Sequence, residues 1–381
     1  MIKVLFVLPD LEYSGAGKQL MLLLKRLPKE RFETIVCVVG RSGPLLGSIQ
    51  NSRGRVESLK WHRLLDIKPV MRYRELARRF APDLIHAWGK PAWWFACLAE
   101  PVSARPIIAS VAEFKQRANA RFGIFERWLL RRTRFLVASS AAETRSCITN
   151  GVSPHKIAEV QPAVEAPTSA ELPQFDLPGL PARARIIACI GPLEAKKGYM
   201  DAVWAFDILK YLYHDLHLVI AGDGPDRPRL ESFVHSDRSR VDVHFVRNLA
   251  TVSVLLARAE VVWIPSHAAR GVNVALEAMA FSRPVVASCV PELAELVANG
   301  KTGMLYPAGN KVALARHTRL LLDNEEKQKN LGDAARNHVE MQFTVESLAA
   351  RYASLYEQAI GNIPLAGKSD TSCERRGLSA P

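Results

Sequence analysis

Short, unbroken apolar runs recur along this chain, and each stops at a loop that opens a helical pattern. Lys3–Leu8 runs into a loop holding Gly15 and Gly17, and then into Leu20, Leu23, Leu24 and Leu27 at the spacing of one helix face. A run that is apolar at every position suits a strand covered on both sides, as in a parallel sheet between two helix layers. The same pattern predicts strands at Phe32–Val39, Asp83–Ala87, Pro106–Ser110 and Arg134–Ala138, with helices near 70–80, 91–100 and 119–132. Five prolines (162, 167, 173, 178 and 181) then interrupt it, a density that no strand or helix survives. The series restarts with strands at Arg185–Ile190, Leu216–Ala221, Val241–Val246, Glu260–Pro265 and Arg283–Ala287. Helices are predicted near 199–213, 273–281, 310–323, 325–341 and 344–360.

The fold class this implies is α/β, with two Rossmann-like doubly wound domains facing across a cleft. They span 1–165 and 184–343, with a Pro-rich linker at 166–183. The helix at 344–360 is expected to pack back on the first domain, and the polar stretch 364–381 reads as a disordered tail. Ligands of open parallel sheets bind beyond the carboxyl ends of the strands, so two facing sheets place the ligand in the interdomain cleft.

Charge is uneven between the halves. Residues 1–180 hold 27 Lys/Arg against 16 Asp/Glu, whereas residues 181–381 hold 24 against 22, so the first half carries nearly all of the net +13. Lys115–Arg134 concentrates it, with Phe122, Phe125, Trp128 and Leu129 at helical spacing. Such a stretch suits an anionic membrane surface, where each Lys or Arg adds about 1 kcal/mol. It equally suits a surface helix whose aromatic face packs on its own sheet. No helix-turn-helix, zinc-finger or stacking-platform pattern accompanies it, so no nucleic-acid partner is expected. The six cysteines are scattered without a CxxC pair, which suggests reduced thiols and a cytoplasmic protein. MIKVLFVLPD lacks the long apolar core of a secretory signal, and no window approaches the ~18 apolar residues of a membrane span.

Several loops can carry chemistry. Ser14-Gly15-Ala16-Gly17-Lys18-Gln19 resembles half of a phosphate-binding P-loop, but Glu12 stands where a glycine is required and Gln19 where Ser or Thr is, so an ATPase is rejected. What remains is a glycine turn into a helix start, which exposes N–H groups to an anion or a hydroxyl. Gly191–Gly198 puts Lys197 just past a strand, a position suited to a diphosphate. Gly222–Pro225 reads as a tight turn at the cleft edge. Gly271 opens a helix whose first N–H groups, near Val272–Val274, can meet a phosphate, and Glu277 follows one turn later where a carboxylate can accept from a ribose diol.

Taken together these segments resemble the family 4 retaining glycosyltransferases of the GT-B fold over residues 1 to about 360. The matching pieces are FVLPDLEYSGAGKQL, PDLIHAWG, VASSAAETRSCITNGVSPHKIAEVQPAVE, GPLEAKKG, LVIAGDGPDRPRL, AEVVWIPS, VNVALEAMAFSRPVVAS and ELVANGKTGMLYPAG, in that order. The resemblance implies sugar transfer from a nucleotide-diphosphate sugar to an acceptor hydroxyl, with retention and with no metal or other cofactor. It implies a donor-binding second domain and a first domain that takes a sugar or lipid-linked acceptor. By matching position, Lys197 would contact the diphosphate, Glu277 the ribose, the backbone at Gly271, Asn273 and Val274 the phosphates, and Gly15 the transferred sugar and phosphate.

Four positions depart from the family. Pro192 stands in place of an arginine, Ala269 in place of the first glutamate of an E-x7-E pair, Ala112 near a usual histidine, and Cys289-Val290 in place of a glycine pair. Lys196 and Arg270 are neighbouring cations that can compensate, and His86, His267 and Arg270 are candidate sugar contacts. No paired carboxylate identifies a catalytic base, so none is assigned. The alternatives are a nucleotide-sugar-binding or partner protein of the same fold that has lost catalysis, and another GT-B-like enzyme such as an epimerase or a phosphorylase.

Overall fold

The computed structural model describes residues 1–361 except 13, 41, 52–54, 62–65, 102–104, 111–122, 168–179, 182–183, 238–239, 248–251 and 269–270. Much of the Pro-rich linker, the 364–381 tail, Ala112, Ala269, Arg270 and the first part of the Lys115–Arg134 run therefore lie outside the described residues. Two all-parallel sheets organise the rest. The first contains β1 (Ile2–Leu8), β2 (Phe32–Val38), β3 (Arg55–Ser58), β4 (Leu84–Trp88), β5 (Ile107–Ser110), β6 (Thr133–Ala138) and β7 (Ile157–Glu159), in the order 3-2-1-4-5-6-7. The second contains β8 (Arg185–Ile190), β9 (Leu216–Ala221), β10 (Val243–Val246), β11 (Ala259–Ile264), β12 (Val285–Ser288) and β13 (Met304–Tyr306), in the order 10-9-8-11-12-13. In each sheet the order reverses beside the first strand, which leaves a crevice past the ends of β1 and β8.

The apolar runs read from the sequence form the central strands. Val4–Leu8 and Ile186–Ile190 are buried throughout because helices cover both faces. Some boundaries move. The helix expected to reach 213 ends at Lys210, the strand expected from Val241 begins at Val243, and the one expected over Arg283–Ala287 runs Val285–Ser288. Beyond the predicted elements the structure adds β3, β7 and β13. It also adds the helices Leu45–Asn51, Ala141–Thr149, Arg227–His235, Val252–Arg258 and Pro291–Leu296.

The helix Val345–Ile360 leaves the second domain and buries Leu348, Tyr352, Leu355 and Tyr356 in the core of the first, edge-on to Phe6 and Phe32 at Tyr356. The chain thus crosses between the domains twice, and the crossings touch: the N–H of Val164 donates to the carbonyl of Phe343 at 2.9 Å.

That returning helix corrects the reading of His86 as a sugar contact. His86 lies on β4 with no exposed surface. Its Nδ1 is 2.8 Å from the Tyr356 hydroxyl and receives the Trp88 indole N–H at 3.2 Å, while Nε2 is 2.8 Å from Ser110 Oγ. The indole can only donate, so Nδ1 is the acceptor and the ring is neutral. Burial pushes its pKa down to about 3.

The helix Ile124–Arg132 also departs from one of its two readings. Leu129 and Leu130 face the sheet, whereas Ile124, Phe125 and Trp128 are exposed, so its aromatic face does not pack inward. Phe125 stacks on Trp128 and meets the exposed Trp94 of the neighbouring helix Lys90–Ala99 edge-on. Among the described residues no helix is long and apolar enough to cross a membrane.

Candidate functional site

The second domain contributes two touching loops. The first follows β8 from Gly191 to Gly198, where the N–H of Lys197 closes a turn on the Glu194 carbonyl at 2.8 Å. The second follows β11 and ends at Gly271. They are tied by the N–H of His267 donating to the Lys196 carbonyl at 2.9 Å, and Gly198 lies directly against the Pro265 carbonyl. Gly198 has φ +70°, a conformation open to glycine that also starts the helix Tyr199–Lys210.

This packing buries Lys197 to 8 % exposure, with its ammonium beside Gly191. Among the described residues no carboxylate lies within ion-pair distance of it, since Glu194 pairs with Lys196 at 3.0 Å. Burial, and after it the charge of Lys196, lowers the Lys197 pKa despite Glu194. A buried cation without a close counter-ion is suited to an incoming anion.

Gly271 caps the helix Val272–Ala280, whose first intrahelical bond joins the N–H of Ala275 to the Gly271 carbonyl. The N–H groups of Val272, Asn273 and Val274 therefore have no acceptor within the helix and present its positive end. Glu277 sits further along the same helix with its side chain about one-fifth exposed.

The first domain meets this helix with its own. After β1, the Ser14 hydroxyl accepts from the N–H of Gly17 at 3.1 Å and caps the helix Gly15–Arg26. Gly15 lies so close to Asn273 that a Cβ there would stand 2.1 Å from Nδ2. The Gln19 carboxamide exchanges two 2.8 Å hydrogen bonds with the backbone of Ala163, and its Nε2 also donates to Asn273 Oδ1 at 3.0 Å. Lys18 Nζ lies 2.6 Å from Glu277 Oε1. A second interdomain contact is made at Glu295, which accepts from the N–H of Ala142 at 3.0 Å and pairs with Arg145.

The structure therefore gathers Gly15, Gly271, Asn273, Val274 and Glu277 along one interdomain seam, with Lys197 in the adjoining loop. His267 stands at that loop, but its Nε2 is 2.7 Å from Asp201 Oδ2, so the ring braces the second domain internally. Lys18 and Gln19, set aside with the rejected P-loop, are the seam residues that the sequence reading missed; pairing across more than 250 positions leaves no local signal. Two surface depressions of about 260 and 180 Å³ are lined by other residues, around Gly300–Leu331 and around Arg26, Glu165 and Glu340.

The profile of the glycosyl transferases group 1 matches residues 174–338, and that of glycosyltransferase family 4 matches residues 13–166. A glycogen synthase of Mycobacterium tuberculosis is 30% identical over 309 residues, which cover 76% of this chain and 72% of that one. A D-inositol 3-phosphate glycosyltransferase of Corynebacterium glutamicum is 28% identical over 200 residues, 50% of this chain and 47% of that one. Among solved structures, Anabaena HepE in complex with UDP-glucose aligns at TM-score 0.79 and 18% identity, covering 94% of this chain and 100% of that one. Sucrose-phosphate synthase from Thermosynechococcus elongatus aligns at TM-score 0.77 and 19% identity, covering 95% and 100%. These structures share the GT-B fold, two Rossmann-like domains in one chain, with this protein.

Proposed function

The chain belongs to the glycosyl transferases of group 1, family 4, enzymes that use nucleotide sugars, and from that premise we propose that it transfers the sugar to an acceptor hydroxyl with retention and without a metal ion. The observation that carries this reading is the seam itself. Buried Lys197, the free N–H groups at Val272–Val274 and the Glu277 carboxylate are brought together beside Gly15 of the opposite domain. The cation and the helix end would stabilise the diphosphate as it departs, where negative charge develops. Glu277 would accept from the ribose hydroxyls, and domain closure would exclude water. UDP-glucose is the donor type favoured by the likeness to HepE. Retention at one face of the sugar would require no protein nucleophile.

The acceptor we assign is a sugar or lipid-linked sugar held by the first domain. The basic face of that domain would rest on an anionic membrane from the cytoplasmic side, through exposed Trp94, Leu98, Ile124, Phe125 and Trp128 and through Arg127 and Arg131 of the helix Ile124–Arg132. Flotation with neutral and anionic vesicles tests the contact; equal, absent binding to both removes it.

A thermal-shift titration with UDP, GDP and ADP, beside Glu277→Ala, tests the donor site. A ligand at 100 times its Kd adds about 2.7 kcal/mol of stability. One nucleotide should shift wild type and fail to shift the variant. No shift with any nucleotide at millimolar concentration overturns the reading and favours a partner protein that has lost its donor site. Turnover in EDTA and the anomeric coupling of the product then test metal independence and retention.

A further inference from the structure

Lys18 has no place in the function as stated so far, yet it makes a charged contact across the seam to the donor-facing helix. Its ammonium is 2.6 Å from Glu277 Oε1, and no other hydrogen bond or ion pair of either side chain is recorded among the described residues. The backbone beneath it is fixed on both sides. One turn before, about 5 Å along the helix, Gly15 is pressed on Asn273, and the next residue, Gln19, is bonded to both Ala163 and Asn273. The side chain itself is 29 % exposed and carries its charge on a four-carbon stem. A fixed Cα beside the phosphate-facing helix end, with a movable ammonium, is the geometry of a cation that can change partners.

The charge balance says when it would. Among the described residues, the positive ends of two helices, Lys18 and Lys197 gather around Glu277, while Glu194 pairs with Lys196. A nucleoside diphosphate brings more than one negative charge to that place, while the ribose supplies new donors to Glu277. Among the described residues beside Lys197, Lys196 is engaged by Glu194 and Pro192 offers no charge.

We propose that Lys18 is a second cation for the donor diphosphate, supplied by the opposite domain and stored on Glu277 while the site is empty. The proposal rests on the reading that Glu277 and the Val272–Val274 amides hold the donor. It makes the first domain sense the diphosphate directly, so a nucleotide lacking the second phosphate would fail to recruit it.

The test compares UDP with UMP, and GDP and ADP with their monophosphates, on wild type, Lys18→Met and Lys18→Arg by isothermal titration. Unliganded melting confirms that the variants fold. Lys18→Met should weaken the diphosphate about 10-fold, roughly 1.4 kcal/mol, and the monophosphate less than 2-fold. The salt dependence of diphosphate binding should flatten, and Lys18→Arg should restore both. Equal weakening of both nucleotides would make Lys18 a mere interdomain strut and overturn the proposal. So would unchanged binding, or tighter diphosphate binding, which would make Lys18 a competitor of the ribose. If wild type binds no nucleotide at all, the donor-site reading fails, and this one with it.

Discussion

Replacing Gly198 with alanine tests how the two donor loops are held together. Gly198 has φ +70°, and a left-handed conformation costs a residue with a Cβ about 1–2 kcal/mol. The new Cβ would also stand 1.9 Å from the Pro265 oxygen and 2.9 Å from its carbonyl carbon. Backbone must move by more than an ångström to admit it, an overpacking cost of about 1–3 kcal/mol. Gly300 provides the control: its φ is +75°, but nothing lies within 4 Å of a Cβ there. Gly300→Ala therefore carries only the conformational cost, and Gly198→Ala the sum, about 2–5 kcal/mol. In a domain of this size 1 kcal/mol moves the melting temperature by about 2–4 °C. Calorimetry should find a loss of about 3–6 °C for Gly300→Ala and roughly 6–15 °C for Gly198→Ala. The nucleotide-dependent shift should survive in the first and vanish in the second, because Lys197 and the His267 tie move with the loop. Equal melting losses, or undiminished nucleotide binding by Gly198→Ala, would refute the reasoning.

Further predictions concern titration. Burial lowers the Lys197 pKa below the ordinary 10.5, and a bound diphosphate would raise it again, so binding takes up a proton in the interval between. Nucleotide affinity should fall as pH rises through the lowered value, and Lys197→Met should remove that slope; a slope that persists in the variant would assign it elsewhere. His86 titrates at about 3 when folded and near 6.5 when unfolded, so the unfolded chain binds the extra proton in that window. Its contribution is complete above pH 6.5 and is lost as pH falls toward 3, at about 1.4 kcal/mol per pH unit. His86→Gln should flatten the acid limb of a denaturation series, and an unchanged limb would show that the ring is not held neutral. Tyr356→Phe removes one hydrogen bond to that ring while the Trp88 indole remains, and should cost about 1 kcal/mol in chemical denaturation.

Legibility followed burial. β1, β8 and β9 were readable because every residue from Val4 to Leu8, or from Leu216 to Ala221, is apolar or covered. β3 is Arg-Val-Glu-Ser at a sheet edge, partly exposed, and β7 and β13 have only three residues each, too short to stand out as apolar runs. The helix Ala141–Thr149 did carry a signal: Ser140 accepts from the Glu143 N–H, a cap visible in the sequence. His86 was misjudged although its strand, Leu-Ile-His-Ala-Trp, is apolar on both sides and so implied a histidine with no route to solvent. Loop chemistry showed where Lys197, Gly271 and Glu277 stand in their own domain. What faces them from the other domain depends on tertiary closure, which no local pattern encodes.

The paired crossings constrain how this closure works. A single covalent tether would let the domains swivel in any direction. Here the Val164 and Phe343 backbones run side by side, joined by a hydrogen bond, and the helix Val345–Ile360 is sunk in the first core. Such a double spine would oppose twist more than a rotation about its own line, like the covers of a book. A rotation of that kind would part the Lys18–Glu277 and Arg145–Glu295 contacts together. Weakening either should loosen the other, so damage at Arg145 would be felt at the nucleotide without any contact between them.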